Sequence, residues 1–182
     1  TLLPPVPLVV FGAGPGVVPL VRRARELGWR VEVVDLRARE ASVQRFRMAD
    51  RVTLARPEEF SSHVHVGSRT MAVVMSHDYA LDLAALRFLL ASPARYVGVM
   101  GASHRTGRML RELGADDLEL ARLHAPAGLD IGADGPVEIA LSIVAEMRAV
   151  LGGRGGAMLR DRRGAIHPRP DELLASADRR VG

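Results

Sequence analysis

The 182-residue chain carries 25 basic residues, all of them arginine, against 21 acids, and 48% of it is hydrophobic, enough for one substantial core and marginal for two. With no cysteine, disulfides, thiolate metal sites and thiol nucleophiles are excluded, which suits a reducing cytoplasm. No apolar run approaches the roughly 18 residues of a membrane span, and residues 1–7 lack the pattern of a secretory signal.

The positive charge is concentrated late in the chain. Residues 1–151 have a net charge of +1 and residues 152–182 of +3. The larger part therefore lacks the basic character of a nucleic-acid domain, and four Phe, two Tyr and one Trp supply few stacking platforms.

In chain order, Leu8–Gly12 reads as a short buried strand. Val17–Leu27 presents an approximate helical face and Gly28 ends it; Arg30–Asp35 is a second strand. Strand, glycine turn, helix and strand within 35 residues make a βαβ unit, whose parallel strands require a crossover. The alternation continues with a short strand at Arg51–Leu54, a strand at Thr70–Met75, a helix over Leu81–Leu90 and a strand at Arg95–Met100. Thr106–Leu113 follows as a helix stopped by Gly114, and a weak strand signal covers Ala127–Ile131. A last helix starts at Pro136, a residue tolerated in a first turn. The pattern predicts a Rossmann-like three-layer αβα domain with a mostly parallel sheet over residues 1–151. Residues 152–182, rich in Gly, Arg and Pro, are expected to be a flexible tail, with a short hairpin around Ala157–Leu159 and Ala165–Ile166 as the alternative.

Gly12-Ala13-Gly14-Pro15-Gly16 directly follows the first strand. Glycines there permit a tight turn and let backbone amides approach a phosphate that the next helix N-terminus stabilises. The strict G-x-G-x-x-G spacing fails, because Val17 stands where the third glycine belongs, and its bulk is expected to push the helix outward. Asp35, 21 residues beyond Gly14, lies where an acid can accept hydrogen bonds from a ribose; Arg37 and Arg39 follow it, either solvated or meeting a further phosphate.

Two later strand ends carry chemistry. Ser76-His77-Asp78 should emerge near the glycine turn, with His77 able to bind a phosphate or shuttle a proton and Asp78 able to orient it or cap the next helix. At the following strand end Gly101 gives backbone access, Ser103 offers a hydroxyl or a helix cap, and Arg105 can pair with an anion. His124 and Asp130 sit in a turn-rich connection and either enter the crevice or hold the loop. His63 and His65 could share one side of a local strand without making a metal site, and His167 has no assignable chemistry. Neither a nucleophile elbow nor a lysine-bearing phosphate loop is present, which disfavours an acyl hydrolase and an ordinary P-loop phosphotransferase.

Four segments in order resemble the Rossmann-like domain of the XdhC/CoxI family: Val9-Val10-Phe11-Gly12-Ala13-Gly14, Met75-Ser76-His77-Asp78, Tyr96–Ser103 and His124–Gly132. Pro136–Glu146 is similar to that family's terminal helix. The resemblance implies binding of molybdenum cofactor (molybdopterin), with its phosphate or dinucleotide extension, at Gly12, Gly14, Gly16, His77 and Arg105. It also implies help in sulfurating that cofactor or inserting it into a molybdenum hydroxylase such as xanthine or carbon monoxide dehydrogenase. Its implied partners are the apoenzyme or a cofactor-sulfurating protein, and a homodimer is possible. Pro15 replaces a common family histidine, Ser76 a threonine, and Gly101-Ala102-Ser103-His104-Arg105 a Gly-Ser-Arg-Arg pattern. Longer members also carry a preceding cysteine-bearing domain, and these 182 residues contain no cysteine. The alternatives are an oxidoreductase using NAD or NADP, with His77 as its first proton-transfer candidate, and a nucleotide-sensing or oligomerisation domain.

Overall fold

A strand covered by helices on both faces needs apolar side chains on both, and most strands of this chain meet that condition. The computed structural model describes residues 4–37, 43–163 and 166. Six strands, β1 (Pro7–Phe11), β2 (Arg30–Asp35), β3 (Arg51–Leu54), β4 (Met71–Val74), β5 (Tyr96–Val99) and β6 (Leu123–His124), form one sheet in the order β3-β2-β1-β4-β5-β6. Every neighbouring pair is parallel. The order reverses between β1 and β4, so the connections leaving these two strands diverge and open a crevice at their carboxyl ends.

Alternation along the strands divides the core into two layers. Leu8, Val10, Val31, Val33, Met71, Val73 and Tyr96 pack with α1 (Val17–Glu26) and α6 (Pro136–Leu151). Val9, Phe11, Val34, Ala72, Val74, Val97 and Val99 pack with α2 (Phe60–His63), α3 (Tyr79–Leu90) and α4 (Ser103–Leu113). A short α5 (Asp117–Leu120) buries none of its residues; Asp116 caps it by accepting from the Glu119 amide at 2.8 Å. Val17 does not lever α1 off the sheet: it is fully buried and belongs to the first core layer.

Several boundaries differ from the expectation, each for a local reason. The sixth strand is Leu123–His124, not Ala127–Ile131. Arg122 anchors its start by donating to the carbonyls of Leu90, Ser92 and Ala94, whereas Pro126 lacks an amide hydrogen and Gly128 has φ +116°, a value a strand does not use. The stretch before His63 is a single 3-10 turn, Pro57–Glu59, leading into α2, so no strand aligns His63 with His65. Glu59 favours that turn by accepting from the Arg56 amide at 2.8 Å. Helix α4 begins at Ser103 itself; Ala102 holds the cap position without a side-chain bond, so Ser103 is not the N-cap. Leu159–Asp161 forms a 3-10 turn in place of the first hairpin arm, while Ala165, Arg39, His167 and most of the expected tail lie outside the described residues.

Two contacts fix the ends of elements that frame the crevice. Gly12 has φ +116°, and a Cβ there would lie 2.6 Å from Ser76 Cα and 2.7 Å from Ser76 N, closer than atoms can approach. Gly12→Ala should therefore cost roughly 3 kcal/mol or more through combined backbone strain and overpacking, read as a lower urea midpoint with an unchanged slope. At the start of α6, Glu138 accepts from the amides of Asp134 (3.0 Å) and Gly135 (3.3 Å), and these bonds hold its carboxyl below the ordinary value of 4.5. Because the folded-state pKa is the lower one, the stabilisation is complete above 4.5 and disappears as pH falls through the folded value. Glu138→Gln should remove that part of the acid limb in a stability–pH profile.

Candidate functional site

The site is assembled from three strand ends. After β1 the chain turns through Gly14 and Gly16 into α1, with the Val17 amide donating to the Gly14 carbonyl at 3.1 Å. Among the described residues, no carbonyl or side chain accepts from the amides of Gly14 or Gly16. No acid occupies the first turn of α1, so the positive end of the helix dipole is not neutralised locally. A Cβ on Gly14 would meet only His77 Cδ2, at 3.9 Å, so this turn and the end of β4 lie side by side.

At the end of β4 the two residues flanking His77 are both pinned. Ser76 is buried; its amide and hydroxyl donate to Asp82 Oδ1 at 3.0 and 2.5 Å. Asp78 caps α3, accepting from the Leu81 amide at 2.9 Å. His77, between them, takes φ +65°, an uncommon conformation for a residue with a Cβ, and its side chain is exposed. The strain is sustained by the bonds on either side.

Beyond β5, Gly101 has φ +128° in open space, so its glycine serves conformation and not packing. Arg105 Nη1 lies 2.8 Å from Asp82 Oδ2, and its guanidinium lies 5.6 Å from the Tyr79 ring centre. Among the described residues, no hydrogen-bond acceptor meets the buried Arg105 Nη2. Asp82 is fully buried on α3 and joins the ends of β4 and β5, with Ser76 on one carboxylate oxygen and Arg105 on the other. The apolar face of Leu81–Leu90 does not disclose this role. The signal in the sequence is a lone acid inside an apolar helix, a residue type rarely buried unpaired.

A cleft of about 260 Å³ opens between the glycine turn and α6. Pro15, Gly16, His77 and Asp134 contribute to its wall, and Leu20, Met75, Met100, Ile139 and Ile143 make it largely apolar. Gly14, Gly16 and His77 are thus brought together. Gly101, Ser103 and Arg105 occupy the adjoining strand end but do not line this cleft; Met100 connects the two regions. Asp134 was not singled out from sequence, its only signal being its place before the Gly135-Pro136 helix start.

Three other residues stand apart. Asp35 is 1% exposed, and Arg37 takes both of its carboxylate oxygens, through the amide at 2.9 Å and through Nε and Nη2 at 3.0 Å each. His124 lies beneath α6, its Nδ1 3.2 Å from Glu146 and its ring stacked on Tyr96 at 4.4 Å. The same Glu146 accepts from the Tyr96 hydroxyl (2.5 Å) and the Gly128 amide (2.9 Å). Burial, then Glu146, push the Tyr96 phenol well above its ordinary range. Asp130 is exposed on the connection after β6 and lines a shallow hollow separate from the cleft. Among the described residues, no group of three or more His, Asp or Glu could hold a metal ion, and no helix is long and apolar enough to cross a membrane.

With a switch-point crevice in place, residues 8–147 match the XdhC Rossmann domain. The chain belongs to this family. It is 37% identical over 140 residues to a probable xanthine dehydrogenase subunit from Bacillus subtilis, covering 77% of this chain and 41% of that protein. It is 31% identical over 172 residues to the uncharacterized protein YqeB of Escherichia coli, covering 92% of this chain and 31% of the other. The crystal structure of a xanthine dehydrogenase from Bacillus halodurans superposes with a TM-score of 0.76 at 35% identity, covering 82% of this chain and 45% of that one. This XdhC Rossmann domain therefore spans less than half the length of each of these three proteins.

Within it, Asp82 and Arg105 should behave as one unit. Asp82→Asn and Arg105→Ala are each expected to cost roughly 1–3 kcal/mol, since the first leaves a partly buried guanidinium and the second a buried carboxylate without its ionic partner. The double variant should lose clearly less than the sum, whereas additive losses in chemical denaturation would show that the pair is not coupled.

Proposed function

We propose that this chain is the cofactor-handling Rossmann domain of an accessory protein that matures a molybdenum hydroxylase. In this reading the phosphate of molybdenum cofactor, or of its dinucleotide form, rests on the amides of Gly14 and Gly16, and His77 closes over it. The observation that carries the reading is the strained His77 backbone, held between pinned neighbours beside a glycine turn whose Gly14 and Gly16 amides have no protein acceptor among the described residues. The names of two relatives, a xanthine dehydrogenase and a probable xanthine dehydrogenase subunit, support the class of target.

The donor set fits such a ligand. Amides without an acceptor among the described residues and a helix N-terminus suit a phosphate, and the largely apolar cleft wall suits a ring system beside it. Gly101, Ser103 and Arg105 would serve a ligand long enough to reach the next strand end. When bound, the cofactor brings the molybdenum whose chemistry the target enzyme uses. The chain's own residues bind, orient and release it, and the reading assigns them delivery and not turnover. The apoenzyme or a cofactor-sulfurating protein would receive or supply it in the cytoplasm.

A nicotinamide dinucleotide is the second reading, favoured by the strand order and the switch-point crevice. Asp35, at the position of a ribose acceptor, is already held by Arg37, which favours recognition through phosphate over recognition through ribose. Equilibrium binding of molybdenum cofactor, its dinucleotide forms, NAD and NADP to the purified chain separates the readings. The pterin cofactor should bind best, with His77→Ala weakening it about tenfold, the equivalent of one hydrogen bond. Gly14→Asp should abolish binding with the fold intact, since the added Cβ has room and the added charge repels phosphate. Preferential NAD or NADP binding with substrate-dependent hydride transfer would overturn the proposal.

A further inference from the structure

Helix α6 has two functional faces. Ile139, Ala140 and Ile143 line the cleft, while the opposite face leaves Val137 and Leu141 53% and 50% exposed. Further along this outer face, a groove of about 940 Å³ is bounded by Ala145 and Ala149 of α6 and by Met158 and Leu159, themselves 60% and 63% exposed. A half-exposed Val–Leu ridge and an apolar groove thus lie in sequence on one helix face.

Of the charges on that face, Glu138 and Arg148 have no charged partner among the described residues; Arg154, Asp161 and Arg162 also line the groove, and Asp161 lies 3.9 Å from Arg160. Glu138 accepts only the backbone amides of Asp134 and Gly135, and Arg148 meets no acid. The two are ten residues apart, about 15 Å along the helix, too far to pair with each other.

We infer that a second copy of this chain packs on the outer face of α6, with the two α6 helices antiparallel about a two-fold axis between Leu141 and Ala145. In that register Leu141 opposes Ala145 of the second copy, Val137 opposes Ala149, and Glu138 opposes Arg148. Large residues meet small ones at each apolar level, so the ridge of each copy fills the groove of the other. Both charges gain partners, and the helix dipoles run in opposition. The self-complementarity of charge selects a second copy over an unrelated partner, because the acidic end and the basic end belong to the same helix. The dimer also braces the helix that walls the cleft, although the inference does not depend on what the cleft binds.

Light scattering and sedimentation equilibrium on the 182-residue chain at micromolar concentrations should give the mass of two chains. Leu141→Arg should yield a monomer with an unchanged far-ultraviolet circular dichroism spectrum. Arg148→Glu alone should dissociate at least about tenfold more readily, because like charges then face each other; Glu138→Arg should do the same, and since Glu138 also caps the start of α6 it is compared at a helix content matched by circular dichroism. An equimolar mixture of these two variants should recover a heterodimer, since each copy then supplies the charge that the other needs. A monomeric wild-type chain, a dimer indifferent to Leu141→Arg, or two charge variants that fail to associate would each overturn the inference. None of these measurements reads ligand binding, so their failure is distinct from failure of the proposed function.

Discussion

The backbone of Gly12 lies against the backbone of Ser76 with no room for a Cβ between them, and the crevice depends on that approach. It occurs where β1 and β4 part company, so it sets how closely two diverging connections begin. Hydrogen bonds from Gly12 N to the Val34 carbonyl and from Met75 N to the Phe11 carbonyl, at 2.8 and 2.9 Å, hold the same corner on both sides. The glycine turn is thus first a packing device. Its middle glycine has space around it and an amide with no acceptor among the described residues.

Two buried carboxylates organise the polar groups around this corner. Asp82, on one side of the sheet, gathers Ser76 and Arg105; Glu146, on the other, gathers Tyr96, His124 and Gly128. A buried acid without partners would be strongly destabilising, whereas one accepting several donors draws separate connections into a single arrangement. Asp82 thereby joins the two strand ends richest in candidate ligand groups. Glu146 performs the equivalent task for the connection after β6, which is why His124 has a partner within the fold.

Much of the fold was legible from chain order. The apolar runs at β1, β2, β4 and β5 were recognisable because buried parallel strands are apolar on both faces, and the helical periodicity of α1 and α6 marked their packing. Strand β6 was misplaced because two residues carry no periodicity; its position rests on Arg122 reaching back to three carbonyls. Ser76, His77 and Asp78 were visible as a group, but not the division of labour among them, with two pinned and one strained outward.

The sequence by itself determined the alternation of strands and helices, the glycine turn after the first strand and the family to which residues 8–147 belong. The first two are written in near neighbours, through side-chain periodicity and the conformational freedom of glycine, and the family in the four ordered segments that resemble it. Tertiary structure alone decided that Asp35 is held by Arg37, that Asp82 links two strand ends, and that one face of α6 lines a cleft while the other carries the half-exposed Val137 and Leu141. The physical reason is that burial and polar pairing depend on which surfaces meet. A carboxylate's partners are set by the folded arrangement of elements, and local spacing does not encode that arrangement.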